Sequence, residues 1–496
     1  MDRRSFLKKA AISSVALGLA GCSSKALTGA HETERPNILV IFDDQHRYSA
    51  LGCSGNKVVQ TPNIDRFAND GLVFDNAFSC CPICAPFRAQ LLTGKYPHKN
   101  GVLCNEYMLW ENQVTLGQVL QGEGYHTGFF GKLHLGYGPY TEEKRKPLGF
   151  DEMEATSNCE HNLYGGEYYD NEKGPFKSDK WLPIIETDRA LDFMEKHLDA
   201  KSGRPFFAAL AWEPPHWSAG KQVYTQYPEE FKTYDPEKVD LPPNVPEEIT
   251  AKTRQEIADY YGSITALDEQ FGRVMSFLEE RGIVDNTIII FTSDHGDHIG
   301  SHGYGKPGSK ELPHHKRASK ATPYNESIHI PFIIRDPKNG LRGKRTDSLF
   351  SSVDIMPTLL GLCGMEIPEG VQGDDLSHLV RGKKGYEKDS VYLQILGLGW
   401  PDRLKWVGYW RGVRTKRWVY ARWRNNSKLL FDCENDPYEM NNLAGKEEYA
   451  EIQSELEGRL KKWISDTEDP FETGKRNSIG MLEIGQKLSS DRFDKK

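Results

Sequence analysis

Short, continuous apolar runs recur along the first part of the chain. They are Asn37–Phe42, Phe206–Ala211, Thr287–Thr292 and Ile330–Ile334. Runs of this length without polar alternation are typical of strands that are buried on both faces of a parallel sheet. Between Arg254 and Arg281 the apolar residues recur with a spacing close to the helical period, which predicts an amphipathic helix. Strands that alternate with helices predict an α/β domain with a mostly parallel sheet.

The pattern changes after about residue 375. Ser390–Ile395 is strand-like, and Trp406–Trp423 is rich in Trp, Tyr and Val on either side of a polar pair, which predicts an antiparallel hairpin. Lys428–Asp432 predicts one more strand, and Glu447–Asp466 predicts a charged amphipathic helix that packs on this sheet. The sequence therefore predicts three parts: an α/β domain at 36–375, a smaller α+β subdomain at 376–470 and a polar tail at 471–496.

The N-terminus has the composition of a targeting segment rather than of a folded element. Asp2–Lys8 resembles a twin-arginine export signal, and the apolar run Ala10–Ala20 is too short for a permanent membrane span. Leu19–Cys22 is similar to a bacterial lipobox. We therefore expect a signal peptide at 1–21, a lipid on Cys22 and a tether at 22–35. The alternative is an ordinary signal peptide in which Cys22 has no role.

These features predict an exported bacterial lipoprotein that faces the periplasm or is anchored in the outer membrane, and that meets the membrane through its lipid anchor only. The 496 residues are 38% hydrophobic and 27% charged, with a net charge of -8. This composition is ordinary for a globular protein and excludes a basic nucleic-acid-binding surface. The nine cysteines show no zinc-ligand spacing, and their spacing supports no particular disulfide pairing.

The segment Cys84-Ala85-Pro86-Phe87-Arg88 carries the most informative local signal, and Leu91-Leu92-Thr93-Gly94-Lys95 follows it. Pro86 has no N–H and a fixed φ, so it suits the first turn of a helix. Cys84 is then expected at or just before a helix N-terminus, where backbone N–H groups favour an anion. Taken alone, the segment is equally compatible with a buried free cysteine near a turn.

Acidic residues follow two of the predicted buried strands. Asp43 and Asp44 end the first strand, and Asp294 and His295 follow the Thr287–Thr292 strand. In open α/β sheets, ligands bind outside the carboxyl ends of the strands. Carboxylates that converge there repel each other unless a cation joins them. Oxygen ligands favour calcium or magnesium, while His295 leaves zinc or manganese open; the alternative is that each acidic pair is simply solvated.

These residues together resemble the sulfatase family, whose signature is Cys-x-Pro-x-Arg followed by a Leu-Thr-Gly stretch. The resemblance extends to Gly131–Gly136, to Pro214-Pro215-His216, to Lys320 and to the stretch from Phe431 to Ala444. It implies an alkaline-phosphatase-like fold, in which helices sandwich a large, mixed, mostly parallel sheet and a smaller antiparallel sheet with a helix follows. It also implies a cysteine that a formylglycine-generating or radical maturation enzyme oxidises to formylglycine, whose hydrated aldehyde attacks sulfur.

The resemblance assigns roles to individual residues. One Ca²⁺ ion is expected at a group of five ligands, with Mg²⁺, Mn²⁺ or Zn²⁺ as lesser alternatives: Asp43, Asp44, Cys84, Asp294 and His295. Arg88 is expected to hold the modified residue, and Lys132 and Lys320 to bind the sulfate oxygens. His216 is expected to protonate the leaving alcohol, with Lys320 able to share that role, and His134 to accept a proton during release of sulfate.

The expected substrate is an oligosaccharide from a sulfated polysaccharide, algal such as ulvan or carrageenan in preference to a glycosaminoglycan. Basic residues between Gly303 and Lys320 are candidate substrate contacts, and a solvated loop is the equal alternative: Lys306, Lys310, His314, His315 and Arg317. Two rival functions share the same motifs. One is a phosphonate monoester or phosphodiester hydrolase of the same superfamily, and the other is a non-catalytic glycan-binding lipoprotein.

Three positions depart from the family pattern. Phe87 stands where a small residue is usual, Phe130 where a small or β-branched residue is common, and Leu133 where the family has tryptophan. None of these changes removes a reacting group. Phe87 raises the question whether a maturation enzyme still recognises the segment efficiently, or whether this side chain serves only local packing.

Overall fold

The computed structural model describes residues 35–472 except for a few segments, which are 106, 137–141, 157–161, 166, 171–173, 218–223, 225, 306–319, 339–340 and 397–407. The described residues from Pro36 onward form one compact unit. Several predicted features lie outside the described residues. They are the signal peptide, Cys22 and nearly all of the tether, the candidate substrate contacts Lys306, Lys310, His314, His315 and Arg317, and the tail beyond residue 472.

The apolar runs form the centre of a large mixed sheet. Among the described residues this sheet has ten strands: β1 (Asn37–Asp43), β2 (Leu72–Phe78), β3 (His126–Gly131), β4 (Glu152–Thr156), β5 (Glu167–Asp170), β6 (Gly174–Lys177), β7 (Phe206–Ala211), β8 (Thr287–Ser293), β9 (Phe332–Arg335) and β10 (Lys344–Ser351). Their order across the sheet is β10-β2-β9-β8-β1-β7-β3-β4-β5-β6. The central strands β8, β1, β7, β3 and β4 are all parallel.

Three of the four predicted strands are confirmed within one residue as β1, β7 and β8. The fourth begins two residues later than expected, after Pro331, and β9 runs antiparallel to both β8 and β2. Pro331 has no N–H to give to a ladder, which favours a strand that starts after it. An apolar run does not show whether a strand is parallel or antiparallel to its neighbours. The sequence therefore could not distinguish β9 from the parallel strands.

Helices cover both faces of this sheet. The helices of the described chain are α1 (Pro62–Asp70), α2 (Cys84–Thr93), α3 (Pro97–Asn100), α4 (Leu116–Gly122), α5 (Glu142–Arg145), α6 (Leu182–Asp199), α7 (Thr250–Glu280), α8 (His302–Gly305), α9 (Asn325–Ile328), α10 (Ile355–Cys363), α11 (Ser377–Val380) and α12 (Ala450–Asp466). The predicted helix at 254–281 is confirmed as α7. None of the described helices combines the length and apolar character that a membrane crossing requires.

Alternate residues of β1 belong to two different cores. Ile38, Val40 and Phe42 pack with apolar residues of α2, α4 and α10 on one face of the sheet. Leu39 and Ile41 pack with α1, α6 and α7 on the other face. A strand that is apolar at every position is the consequence of this double burial. The predicted α/β architecture is confirmed.

The smaller sheet is antiparallel, with strands β11 (Val391–Ile395), β12 (Trp410–Arg414), β13 (Trp418–Trp423) and β14 (Lys428–Asp432) in that order. One face packs on a segment that includes Phe78, Cys81 and Ile83, directly before α2. The other face packs on α12. The predicted hairpin, the added strand and the covering helix are confirmed. Because the two sheets share a core cluster, the division at residues 375 and 376 stays a prediction.

Candidate active site

The carboxyl ends of neighbouring parallel strands bring the acidic residues together. β1 and β8 pair in a register that places Asp43 opposite Ser293. The next residues, Asp44 and Asp294, therefore leave the sheet side by side, and both are fully buried. This is the arrangement that two acidic residues at separate strand ends predicted.

The next two strands of the sheet supply basic residues to the same edge. β3 and β7 pair so that Gly131 lies opposite Ala211, and the N–H of Lys132 donates to the Ala211 carbonyl at 2.8 Å. Gly131 has φ +105°, and a Cβ there would lie 2.1 Å from the Ala211 oxygen. Only glycine fits this turn, and the turn directs Lys132 into the site.

Cys84 opens helix α2, as the position of Pro86 predicted. Ile83 is the residue before the helix, and its carbonyl accepts the first helical hydrogen bond, from the Phe87 N–H at 3.1 Å. The N–H of Ala85 donates to Asn105 Oδ1 at 3.1 Å. The Phe87 side chain is fully buried and its ring lies 6.1 Å from that of Phe42. Phe87 therefore has a packing role in the folded protein.

Four potential ligand atoms converge in front of Cys84. Atoms of Asp44, Cys84, Asp294 and His295 all lie within 4.8 Å of one another. Cys84 Sγ is 3.5 Å from Asp44 Oδ1 and 3.3 Å from His295 Nε2. Asp43 is not in this group. Its Oδ2 bonds His46 Nδ1 at 2.6 Å, and its Oδ1 is buried with no hydrogen-bond partner among the described residues, so its role as a ligand stays a prediction.

The chemistry of these groups fits a divalent cation. His295 donates from Nδ1 to the Gly296 carbonyl at 2.9 Å, which leaves Nε2 as an acceptor facing the carboxylates. Burial and the charge of Lys320 hold the pKa of His295 well below its ordinary value, so the imidazole is neutral. Burial and the charge of Asp44 raise the pKa of Asp294 well above its ordinary value. A cation between the carboxylates removes that repulsion.

Two cationic side chains contact the same carboxylates. Arg88 Nη2 donates to Asp44 Oδ2 at 3.0 Å and to Asp294 Oδ2 at 3.3 Å, and Nη1 donates to the Lys132 carbonyl. Lys132 Nζ is 2.7 Å from Asp44 Oδ2. Burial alone would raise the pKa of Asp44, but Lys132 and the other nearby cations outweigh it and hold that pKa well below its ordinary value.

Lys320 links the nucleophile position to the predicted acid. Its Nζ donates to Cys84 Sγ at 2.9 Å and lies 3.1 Å from the Nε2 atoms of both His216 and His295. Burial opposes its charge, but Cys84 and the two aspartates raise the pKa of Lys320, so it remains cationic. His216 donates from Nδ1 to the Trp217 carbonyl at 2.7 Å. In this tautomer Nε2 is the acceptor of the hydrogen bond from Lys320.

His134 lies in the same electrostatic environment. Burial and the charges of Lys132 and Arg88 hold the pKa of His134 well below its ordinary value, which suits a neutral proton acceptor. The encoded thiol of Cys84, in contrast to this deprotonated imidazole, retains its proton. Burial and the charge of Asp44 raise the pKa of Cys84 to about 11, so the thiol is protonated near neutral pH and is a weak nucleophile. No disulfide bond joins any two of the seven cysteines that the structure describes.

Two residues at the site were missed by sequence reasoning. Gln45 has φ +76°, and its N–H donates to Asp294 Oδ1 at 3.1 Å, which orients that carboxylate. Glu213 is buried with Oε1 3.5 Å from Lys132 Nζ. The sequence did carry a signal for Glu213. An acidic residue stands directly after the apolar strand β7 and Trp212, where a buried charge needs a partner.

Comparison with known proteins agrees with this geometry. The family model described as Sulfatase matches residues 36–365, and that of the N-sulphoglucosamine sulphohydrolase C-terminal region matches 314–466. An ulvan-active sulfatase of Formosa agariphila is 34% identical over 470 residues, covering 92% of this chain and 87% of the relative. An endo-4-O-sulfatase of Bacteroides thetaiotaomicron is 30% identical over 500 residues, covering 90% and 95%.

A solved 4S-sulfatase structure, associated with the metabolism of multiple glycosaminoglycans by Bacteroides thetaiotaomicron, superposes with a TM-score of 0.76. It is 28% identical and covers 90% of this chain and 99% of the other. The alkaline-phosphatase-like fold expected from the motifs is thus confirmed. Because the family model spans most of the described chain and the relatives match along nearly all of it, this protein belongs to the sulfatase family and is a sulfuric ester hydrolase.

Proposed function

We propose that this sulfatase removes sulfate from oligosaccharides of an algal sulfated polysaccharide, with a formylglycine made from Cys84 as its nucleophile. The observation that carries the proposal is the position of Cys84. It opens a helix, Arg88 lies one turn further on, and Lys320 Nζ is 2.9 Å from its sulfur. Every catalytic side chain that the sulfatase resemblance predicts is present in the chain, which disfavours the non-catalytic rival.

The residues around Cys84 have different roles in cleavage of the sulfate ester. Lys132 and Lys320 would bind the sulfate oxygens and place positive charge where negative charge develops in the transition state. Hydrated formylglycine at position 84 would supply one hydroxyl whose oxygen bonds to sulfur as the bond from sulfur to the alcohol oxygen breaks. Its second hydroxyl would then lose a proton, expel sulfate and restore the aldehyde. Asp44, Asp294, His295 and residue 84, with Asp43 as a predicted further ligand, would hold a calcium ion that supplies positive charge beside this nucleophile.

Proton transfer falls to the two histidines and Lys320. The cationic Lys320 donates to His216 Nε2 at 3.1 Å, so a proton is already placed between these two residues. One of them would protonate the leaving alkoxide. The neutral His134 would accept the proton that is lost when sulfate leaves. The sulfatase resemblance assigns these two roles to different residues.

The preference for an algal substrate comes from the relatives. The ulvan-active relative has a higher identity to this chain than the endo-4-O-sulfatase, 34% against 30%. An exported, lipid-anchored enzyme that faces imported oligosaccharides suits either substrate. We infer that export uses the signal at 1–21 and that Cys22 carries the lipid; a Cys22→Ser variant that still partitions with membranes would contradict this anchor.

Mass spectrometry across residue 84 tests the nucleophile. Conversion of cysteine to formylglycine lowers the peptide mass by about 18 Da, whereas ordinary cysteine oxidation raises it. We expect the lowered mass in protein made with a maturation enzyme, and no turnover by Cys84→Ala. An unmodified Cys84 in a fully active enzyme would overturn the mechanism.

A substrate panel tests the specificity. Sulfated ulvan oligosaccharides, carrageenan oligosaccharides and chondroitin 4-sulfate oligosaccharides are compared by sulfate release, with an aryl sulfate and an aryl phosphonate ester as reference substrates. We expect the highest kcat/KM on an algal substrate and a strong preference for the sulfate ester. A higher value on chondroitin sulfate would refute the algal assignment, and a preference for the phosphonate ester would favour the phosphonate hydrolase rival.

A further inference from the structure

Glu213 places a second carboxylate beside a catalytic lysine. Lys132 Nζ lies between Asp44 Oδ2 at 2.7 Å and Glu213 Oε1 at 3.5 Å. Both partners and the lysine are buried, with side-chain exposures of 3% or less. Glu213 is not part of the Pro-Pro-His motif that follows it, and the proposed mechanism has not used it.

The backbone of Lys132 is fixed, but its side chain is not. The N–H of Lys132 donates to the Ala211 carbonyl at 2.8 Å and its carbonyl accepts from Arg88. The four-carbon side chain of lysine nevertheless carries a compact charge on several rotatable bonds. Its carboxylate neighbours therefore determine where the ammonium lies, and here two buried carboxylates lie within 3.5 Å of it.

Asp44 alone would bind the ammonium too closely for catalysis. A lysine that is fully engaged by one buried carboxylate has little left to offer a sulfate oxygen, because the carboxylate neutralises its charge. Glu213, with Oε1 at 3.5 Å from Nζ, adds a second attraction to that of Asp44 at 2.7 Å and so limits how far the ammonium turns towards Asp44 alone. Catalysis depends on charge that is preorganised for the transition state, so the position of this ammonium matters as well as its presence.

We propose that Glu213 is a positioning residue, which holds the Lys132 ammonium between itself and Asp44 so that the ammonium meets the sulfate oxygens in the transition state. The proposal rests on the proposed function, in that Lys132 binds sulfate. It assigns a role to a residue outside the metal-ligand group and outside the set of residues that touch substrate.

A second buried carboxyl nearby offers a matched control. Glu186 on α6 is fully buried, and neither carboxyl oxygen has a hydrogen-bond partner among the described residues. Burial and the charge of Glu213 raise the pKa of Glu186 well above its ordinary value, so this residue is a neutral acid. Replacing it by glutamine changes no charge, whereas the same change at Glu213 removes one.

The test compares Glu213→Gln, Glu213→Asp and Glu186→Gln with the parent enzyme on an aryl sulfate, with rates expressed per formylglycine. Removal of a direct transition-state donor costs about 10²- to 10³-fold in kcat; Glu213→Gln leaves the donor in place but misplaced, so we expect a loss of about tenfold with no rise in KM. Glu213→Asp retains the charge and is expected to recover most of that loss. Glu186→Gln is expected to stay within about twofold of the parent.

A double-mutant cycle separates positioning from damage to the fold. In a Lys132→Met background, Glu213→Gln should cause no further loss of kcat, because the group it positions is gone. An equal loss in both backgrounds, a loss matched by Glu186→Gln, or an unchanged kcat in Glu213→Gln would overturn the proposal. Absence of sulfatase turnover in the parent enzyme would instead refute the proposed function.

Discussion

Replacing Lys320 by methionine is expected to lower kcat by about 10²- to 10³-fold. Methionine keeps most of the side-chain volume but removes the charge. In the structure that charge touches three functional groups, Cys84 Sγ at 2.9 Å and the Nε2 atoms of His216 and His295 at 3.1 Å. Loss of one charged or polar donor aimed at a developing anion in a buried site costs about 2.7–4 kcal/mol of transition-state stabilisation, which gives this range.

The contact between Lys320 and His216 leads to a more specific prediction. If Lys320 delivers or shares the proton for the leaving alkoxide, its loss should matter most when the leaving group is a strong base. We expect the ratio of parent to Lys320→Met kcat to rise by about tenfold from an aryl sulfate with an acidic phenol to an alkyl or sugar sulfate. The assay is kcat across such a series, with rates expressed per formylglycine.

A matched control is Lys196→Met. Lys196 on α6 has a side chain that is 69% exposed and pairs only weakly with Asp192 at 4.0 Å, so its replacement should leave kcat unchanged. A constant ratio across all leaving groups would refute proton delivery by Lys320 and leave it as a sulfate clamp. A loss of less than about threefold for every substrate would refute both roles, since no buried charged donor at these distances should be so dispensable.

Three further predictions concern stability. Asp469→Asn should destabilise the protein by about 3–5 kcal/mol in urea melts, because it leaves Arg411 as an unpaired buried charge. Burial alone would raise the pKa of Asp469, but Arg411 lowers it to about 2. The stabilisation by this pair should therefore be present above pH 4 and be lost as the pH falls towards 2. A loss below about 1 kcal/mol would contradict this reasoning. Burial and the charge of Glu326 raise the pKa of Glu439 from 4.5 to about 8, so the folded state binds a proton more tightly and stability should fall as the pH rises through this window. The thermal midpoint of Glu439→Gln should be less dependent on pH between 5 and 8, and an equally steep dependence would contradict the assignment. Phe87→Ala should lower the free energy of unfolding by about 3–5 kcal/mol, because it leaves a buried cavity beside Phe42. The formylglycine content per folded molecule should not change, and a drop in that content would instead show that Phe87 serves maturation.

Local sequence was sufficient to predict the elements that carry the chemistry. Unbroken apolar runs identified β1, β7 and β8 because strands buried on both faces need apolar residues at every position. Pro86 identified the start of α2 because its missing N–H costs nothing in the first turn of a helix. Asp44 and Asp294 were expected at one edge because the carboxyl ends of parallel strands share an edge.

Contacts between distant segments were decided by the tertiary structure alone. The direction of β9, the bond between Asp43 and His46, the tautomer of His295 and the position of Glu213 beside Lys132 have no local signature. Each depends on which strands are neighbours and in what register. A single sequence records which residues lie at the ends of strands, but the energy of a buried charge depends on its partners in space. The sequence by itself therefore determined the family and the fold class and predicted the candidate reacting groups, and the tertiary structure decided how the charges around them are shared.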